Sequence, residues 1–201
     1  MRILRRDDCQ TTPWKNGRGV AERLAIWPMG TTHDDCEWQV ARARIVDDGP
    51  FSHYPGFDRQ IVLLSGGALE LDVRSDTDGV SFDHTVSTPL TPFAFRGDWD
   101  VACRLHGGPA EVLNVFTRRA CAAARVDVLV PAAPRAVSKP GGAALVAIVA
   151  AGSVTAWGQW GEARLAAGDA VIVDEAVPEE IALAGTGPDV RVVAVRIETL
   201  A

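Results

Sequence analysis

The hydrophobic pattern of the chain is that of strands. Period-two alternation and short apolar runs dominate, and no stretch sustains a helical apolar period. Trp38-Gln-Val-Ala-Arg-Ala-Arg-Ile45 alternates in part and stops at the turn signal Asp47-Asp48-Gly49-Pro50. Gln60-Ile-Val-Leu-Leu64 is a buried-strand run closed by Ser65-Gly66-Gly67. Ala68-Leu-Glu-Leu-Asp-Val73 then alternates cleanly, so the two are expected to form a hairpin. Thr91 to Phe95 and Val101 to Leu105 flank a turn at Arg96-Gly97-Asp98, and Val112 to Phe116 is a further strand. A stretch rich in alanine and proline follows (Pro131, Pro134, Pro140), around an apolar patch at Val126 to Val130. Strands resume at Ala144 to Val149, Val154 to Trp157, Ala170 to Val173, Glu180 to Leu183 and Val190 to Ile197, separated by glycine turns. Many short strands with regular turn signals indicate a β-sandwich or barrel.

The two halves echo each other. Ser65-Gly-Gly-Ala-Leu-Glu-Leu has a counterpart in Ala151-Gly-Ser-Val-Thr-Ala-Trp, and the Gly97-Asp98 turn in Gly168-Asp169. A Gly-Asp turn feeding an apolar core strand is similar to an element of cupin barrels. The expected fold is therefore all-β, a bicupin of the RmlC-like jelly-roll type with little helix. Residues 1–120 would form an N-terminal barrel carrying an N-terminal signature segment, 121–142 a connector with one strand, and 143–201 a degenerate C-terminal barrel.

Composition narrows the class. The 201 residues carry 20 Lys+Arg against 26 Asp+Glu, a net charge of −6, which argues against general nucleic-acid binding. At 47% hydrophobic and 23% charged residues the chain has an ordinary globular balance. Met1 to Pro13 has no apolar core of a signal peptide, and no apolar run is long enough to span a bilayer. The four cysteines form no CxxC pair. Reduced thiols, a cytoplasmic location and no membrane partner are expected.

In a cupin-like chain, metal is the first question. Counting back seven residues from Gly66, the place of a cupin metal carboxylate falls on Arg59. A guanidinium cannot ligate a cation. His53 has no HxH partner, His33, His84 and His106 lack carboxylate spacing, and residues 143–201 contain no histidine. No metal and no cofactor are expected. If Arg59 faces a barrel interior, its charge must be paired. One solution is an internal salt bridge to Asp58, Glu22 or Asp98; the other is a small anionic ligand, which the guanidinium fork suits well. Trp14, Lys15 and Asn16 in a glycine-rich bend offer a stacking face, a cation and an amide, as a ligand lid would. Ser52 could add a hydroxyl. It lacks a GxSxG context, and Cys103 reads as a core residue.

Taken together, Pro13-Trp-Lys-Asn-Gly17, Asp48-Gly-Pro-Phe-Ser52, Pro55-Gly-Phe-Asp-Arg59, Pro92-Phe-Ala-Phe-Arg-Gly-Asp98, Gly108-Pro109, and Asn114 followed by Arg118-Arg119 resemble the HutD/Ves family. The resemblance covers roughly the first 120 residues. It implies a dimeric cupin-type double barrel that moderates histidine utilisation by binding a pathway metabolite such as urocanate or formylglutamate. It carries no established reaction. Arg59 resembles the family's pocket arginine; Trp14, Lys15 and Asn16 match its N-terminal signature. Phe51, Ser52, Phe95 and Asn114 match further pocket positions, with Gly17, Glu22 and Asp98 as support. The usual three-glycine run is Gly17-Arg18-Gly19 here, a threonine is missing before Glu22, and Val112-Leu113 replaces an Asp-Phe pair. A binder of small carboxylates is the leading expectation. The alternatives are a metal-free lyase or isomerase using Lys15 or His53 as acid/base, and a structural or stress-related partner-binding protein.

Overall fold

The computed structural model describes residues 1–14, 19–139, 144–173 and 180–200. In chain order its strands are β1 (Arg2–Leu4), β2 (Gln10–Pro13), β3 (Val20–Trp27), β4 (Trp38–Ile45), β5 (Gly49–Pro50), β6 (Phe57–Ser75), β7 (Val80–Val86), β8 (Pro92–Arg96), β9 (Asp100–Arg118), β10 (Ala122–Leu129), β11 (Arg135–Ser138), β12 (Ala144–Ala151), β13 (Ser153–Gly158), β14 (Gly161–Ala166), β15 (Ala170–Val173), β16 (Glu180–Gly185) and β17 (Arg191–Thr199). Among the described residues no helix is long and apolar enough to cross a membrane.

The chain divides into two compact units, one of Gln10–Cys121 and one of Met1–Cys9 with Ala122–Ala201. These bounds differ from the expected 1–120, 121–142 and 143–201. β1 pairs with β15, so the first nine residues belong with the C-terminal half. The expected connector supplies two strands to that unit, not one: β10 lies along β17, and β11 along β16. β10 contains most of the expected apolar patch; the surrounding proline and alanine hid β11, because both residues carry little strand signal.

The unit holding β10 to β17 has a five-stranded sheet, β1-β15-β12-β17-β10, and a four-stranded one, β11-β16-β13-β14. Its core is aliphatic, built on Leu145, Val171, Ile181 and Val192. Asp169 anchors the N-terminal segment to this unit. Its carboxylate accepts the Arg6 N–H at 3.0 Å, the Ala166 N–H at 3.0 Å and Arg5 Nη1 at 2.8 Å. Burial alone would raise its pKa, but these donors outweigh it and hold the carboxyl below the usual aspartate value. A depressed folded-state pKa gives stability that is complete above the ordinary value near 4 and lost as pH falls through the lowered one. Asp169→Asn is expected to cost about 2 kcal/mol at pH 7. It should also flatten the fall in melting temperature between roughly pH 5 and 2. Thermal melts across that range would check both effects.

In the other unit the sheet order is β2-β3-β4-β9-β6-β7, with β5 on β9 and β8 on β6. The expected hairpin at Gly66-Gly67 does not form. β6 runs through both glycines as one strand of 19 residues, antiparallel to the 19-residue β9 along its length. Register shifts at Leu63/Ser65 and Gly66/Ala68 show that the glycines bend the strand rather than reverse it. In the C-terminal half the corresponding Ala151-Gly152-Ser153 breaks the chain into β12 and β13, in different sheets. The echo between the halves therefore marks the same kind of bend, carried further in one than in the other.

Candidate functional site

Strand register builds the site. Gln39 on β4 faces Phe116 on β9, Phe116 faces Arg59 on β6, and Arg59 faces Phe95 on β8. Opposed residues share a sheet face, so the row Gln39–Phe116–Arg59–Phe95 points one way. The next row on that face contains Ala41 and Asn114, and the following one Ala21 and Ala43. Small side chains on β3 and β4 beside large ones on β6 and β9 leave a void. It is a cavity of about 70 Å³, well above the minimum needed to hold a water. Trp14, Phe51, Ser52, Arg59 and Asn114 line it, as do Gln39, His33, Tyr54 and Phe116, which sequence reasoning missed.

Arg59 is 6% exposed. Its Nη1 donates to the Ser52 main-chain carbonyl at 3.1 Å and its Nη2 to Asn114 Oδ1 at 3.4 Å, while Nε is buried without an acceptor. The guanidinium carbon lies 4.7 Å from the ring centre of Phe95, 4.8 Å from Phe116, 5.3 Å from Tyr54 and 5.4 Å from Phe51. These faces stabilise the cation by cation–π attraction. Burial pushes its pKa down to about 10, which leaves it charged at neutral pH. The internal salt bridge is not what forms. Asp58 and Asp98 pair with Arg119, Glu22 pairs with Arg42, and among the described residues no carboxylate reaches Arg59.

The remaining expected site residues separate by role. Ser52 lines the cavity and contributes its main-chain carbonyl to Arg59. Phe95 is buried behind Arg59 and is not part of the lining. Asp98 accepts the Gly56 N–H at 3.0 Å and Arg119 Nη2 at 2.5 Å, and Arg119 also donates to the Phe57 carbonyl at 2.7 Å. That clamp fixes the Pro55-Gly-Phe-Asp turn leading into Arg59. Gly97 is required there, because a Cβ would meet the Tyr54 carbonyl at 2.4 Å. Glu22 sits next to Ala21 on β3, so it projects from the opposite face, where it meets the fully buried Arg42. The Trp14 main-chain N–H donates to the Gly19 carbonyl at 2.8 Å, and the Trp14 ring covers Gly19 so closely that a Cβ would lie 2.9 Å away. Lys15, Asn16 and Gly17 lie outside the described residues.

The candidate acid/base and nucleophilic groups fall elsewhere. His53 is at the surface, 2.8 Å from Asp100, and is not in the cavity lining. Burial pushes the Cys103 thiol up to about 12 and Cys36 up to about 11, so both stay protonated. Among the described residues no three His, Cys, Asp or Glu side chains are grouped to hold a metal ion.

Tandem all-β units of this kind define a bicupin. The oxalate decarboxylase of Bacillus subtilis matches the fold with a TM-score of 0.65 at 10% identity over 98% of this chain and 76% of its own. The chain belongs to the HutD family, whose model matches residues 6–189. HutD from Pseudomonas fluorescens SBW25, solved in a formate condition, aligns with a TM-score of 0.80 and 25% identity over 100% of this chain and 99% of that one. A conserved protein of unknown function, PA5104, from Pseudomonas aeruginosa PAO1 gives 0.81 and 29%, covering 98% of each chain. The protein Ves of Escherichia fergusonii is 34% identical over 116 residues, 57% of this chain. That match spans 56% of the relative's length, a little over half.

Proposed function

We propose that this protein binds a small carboxylate in the Arg59 cavity and, through a pathway acid such as urocanate or formylglutamate, moderates histidine utilisation in the cytoplasm. One observation carries the reading: a buried, charged guanidinium opens onto a cavity with an Nε donor unused and, among the described residues, no carboxylate beside it. Such a charge is costly until an anion meets it. Trp14, Phe51 and Tyr54 supply apolar walls, and Asn114 holds the fork in orientation. Membership of the HutD family supports the link to histidine utilisation, and the four free cysteines suit a reducing compartment. Thermal shift and calorimetry with formate, urocanate and formylglutamate test the reading. A ligand at a hundred times its Kd should stabilise the protein by about 2.7 kcal/mol. No shift with any acid would overturn the proposal.

A further inference from the structure

The same row of the sheet holds a second unanswered polar group. Gln39 is 2% exposed and lines the cavity, and its Oε1 is buried with no donor to accept from. Buried side-chain oxygens are ordinarily hydrogen-bonded, and one left alone carries its full desolvation cost. Ala41 and Ala43 follow it on the same face of β4, and Phe116 lies opposite. A leucine would fill such a position at less cost, so the amide calls for a ligand.

Gln39 on β4 and Arg59 on β6 flank Phe116 on β9, the strand between them. Their backbones are thus two strand spacings apart, roughly 9–10 Å. Both side chains line one cavity. Arg59 offers a donor with a positive charge, and Gln39 offers an acceptor.

We infer that the ligand is a carboxylic acid that also carries a hydroxyl or N–H a few bonds from its carboxylate, with Gln39 Oε1 accepting that hydrogen. The inference rests on the carboxylate reading above and makes Gln39 the specificity-determining residue of the site. A simple alkyl acid satisfies Arg59 but leaves the Gln39 oxygen unpaired. A site built to pair a polar group rejects the analogue that lacks it.

Matched probes test this by calorimetry: 3-hydroxypropanoate against butanoate, and 4-hydroxybutanoate against pentanoate. Each pair differs by an O–H in place of a methyl. The protein should favour the hydroxy acid of at least one pair by about tenfold or more. Gln39→Leu should lose that preference and still bind the alkyl acid, whereas Arg59→Leu should lose both. Gln39→Met keeps the side-chain length and should behave as the leucine variant does. Unliganded, both Gln39 variants should melt no lower than the parent protein, since an unpaired oxygen is removed. Equal binding within both pairs would overturn the donor requirement while leaving the carboxylate reading intact. A preference that survives in both Gln39 variants would overturn the role of Gln39. If no acid binds at all, the carboxylate reading fails and this inference with it.

Discussion

Arg59→Leu is expected to weaken carboxylate binding by about a hundredfold or more while raising the melting temperature of the unliganded protein. The two effects have one cause. The guanidinium is desolvated, and among the described residues it has two hydrogen bonds and four aromatic faces but no counter-charge. Removing a buried charge of this kind relieves its desolvation cost, about 1–2 kcal/mol here, or a few degrees. Removing it from the complex strands the ligand's carboxylate in an apolar cavity, which costs about 2–5 kcal/mol. Arg59→Lys keeps the charge and loses the fork, so it should fall between the two. Paired melts and titrations on the same preparations read both signs. If Arg59→Leu melts lower and binds acids as well as the parent protein, Arg59 is a structural cation rather than a ligand group.

Gly66→Ala is expected to cost more than 3 kcal/mol and to leave little folded protein at 37 °C. Gly66 has φ of +93°, and a Cβ there would lie 2.2 Å from the Pro109 carbonyl oxygen and 3.0 Å from the Ala110 Cα. Both are backbone atoms of the facing strand, so nothing can swing aside. The bend they share is where the two longest strands change direction together. Gly79→Ala separates the causes. Gly79 also has a left-handed φ, +65°, but a Cβ there would have nothing within 4 Å. It should lose about 1 kcal/mol, the cost of the dihedral alone. Urea titrations of the two variants would show the difference as a shift in midpoint. Equal losses would mean that the close approach at Gly66 is absorbed by the strands.

Much of the site was legible because its residues lie in short contiguous motifs. Phe51, Ser52 and Arg59 stand within nine residues, and Trp14 leads the N-terminal motif. The position of Arg59 in a buried strand was enough to pose the question of its partner. What the sequence hid is set by register between distant strands. Gln39 meets the cavity because β4 lies against β9 with Gln39 at Phe116, and no local pattern specifies that pairing. A signal existed in the alternation of Gln39, Ala41, Ala43 and Ile45 on one face, small residues beside a glutamine. It was masked because the other face of β4 is also buried as far as Arg42. The two glycines of β6 misled for a related reason. Gly-Gly after an apolar run reads as a reversal, whereas Gly107 and Gly108 on the facing strand, with φ of +82° and +105°, allow both strands to bend together.

The pairing of β1 with β15 carries a timing consequence for the living cell. Arg2–Leu4 leaves the ribosome about 165 residues before Ala170–Val173, its neighbour in the sheet. At roughly 5–20 residues per second, that is about 8–30 s during which the segment has no partner to zip onto. The unit of Gln10–Cys121 is complete well before then, so the Arg59 cavity can mature on the nascent chain while the other unit still waits for its last strands.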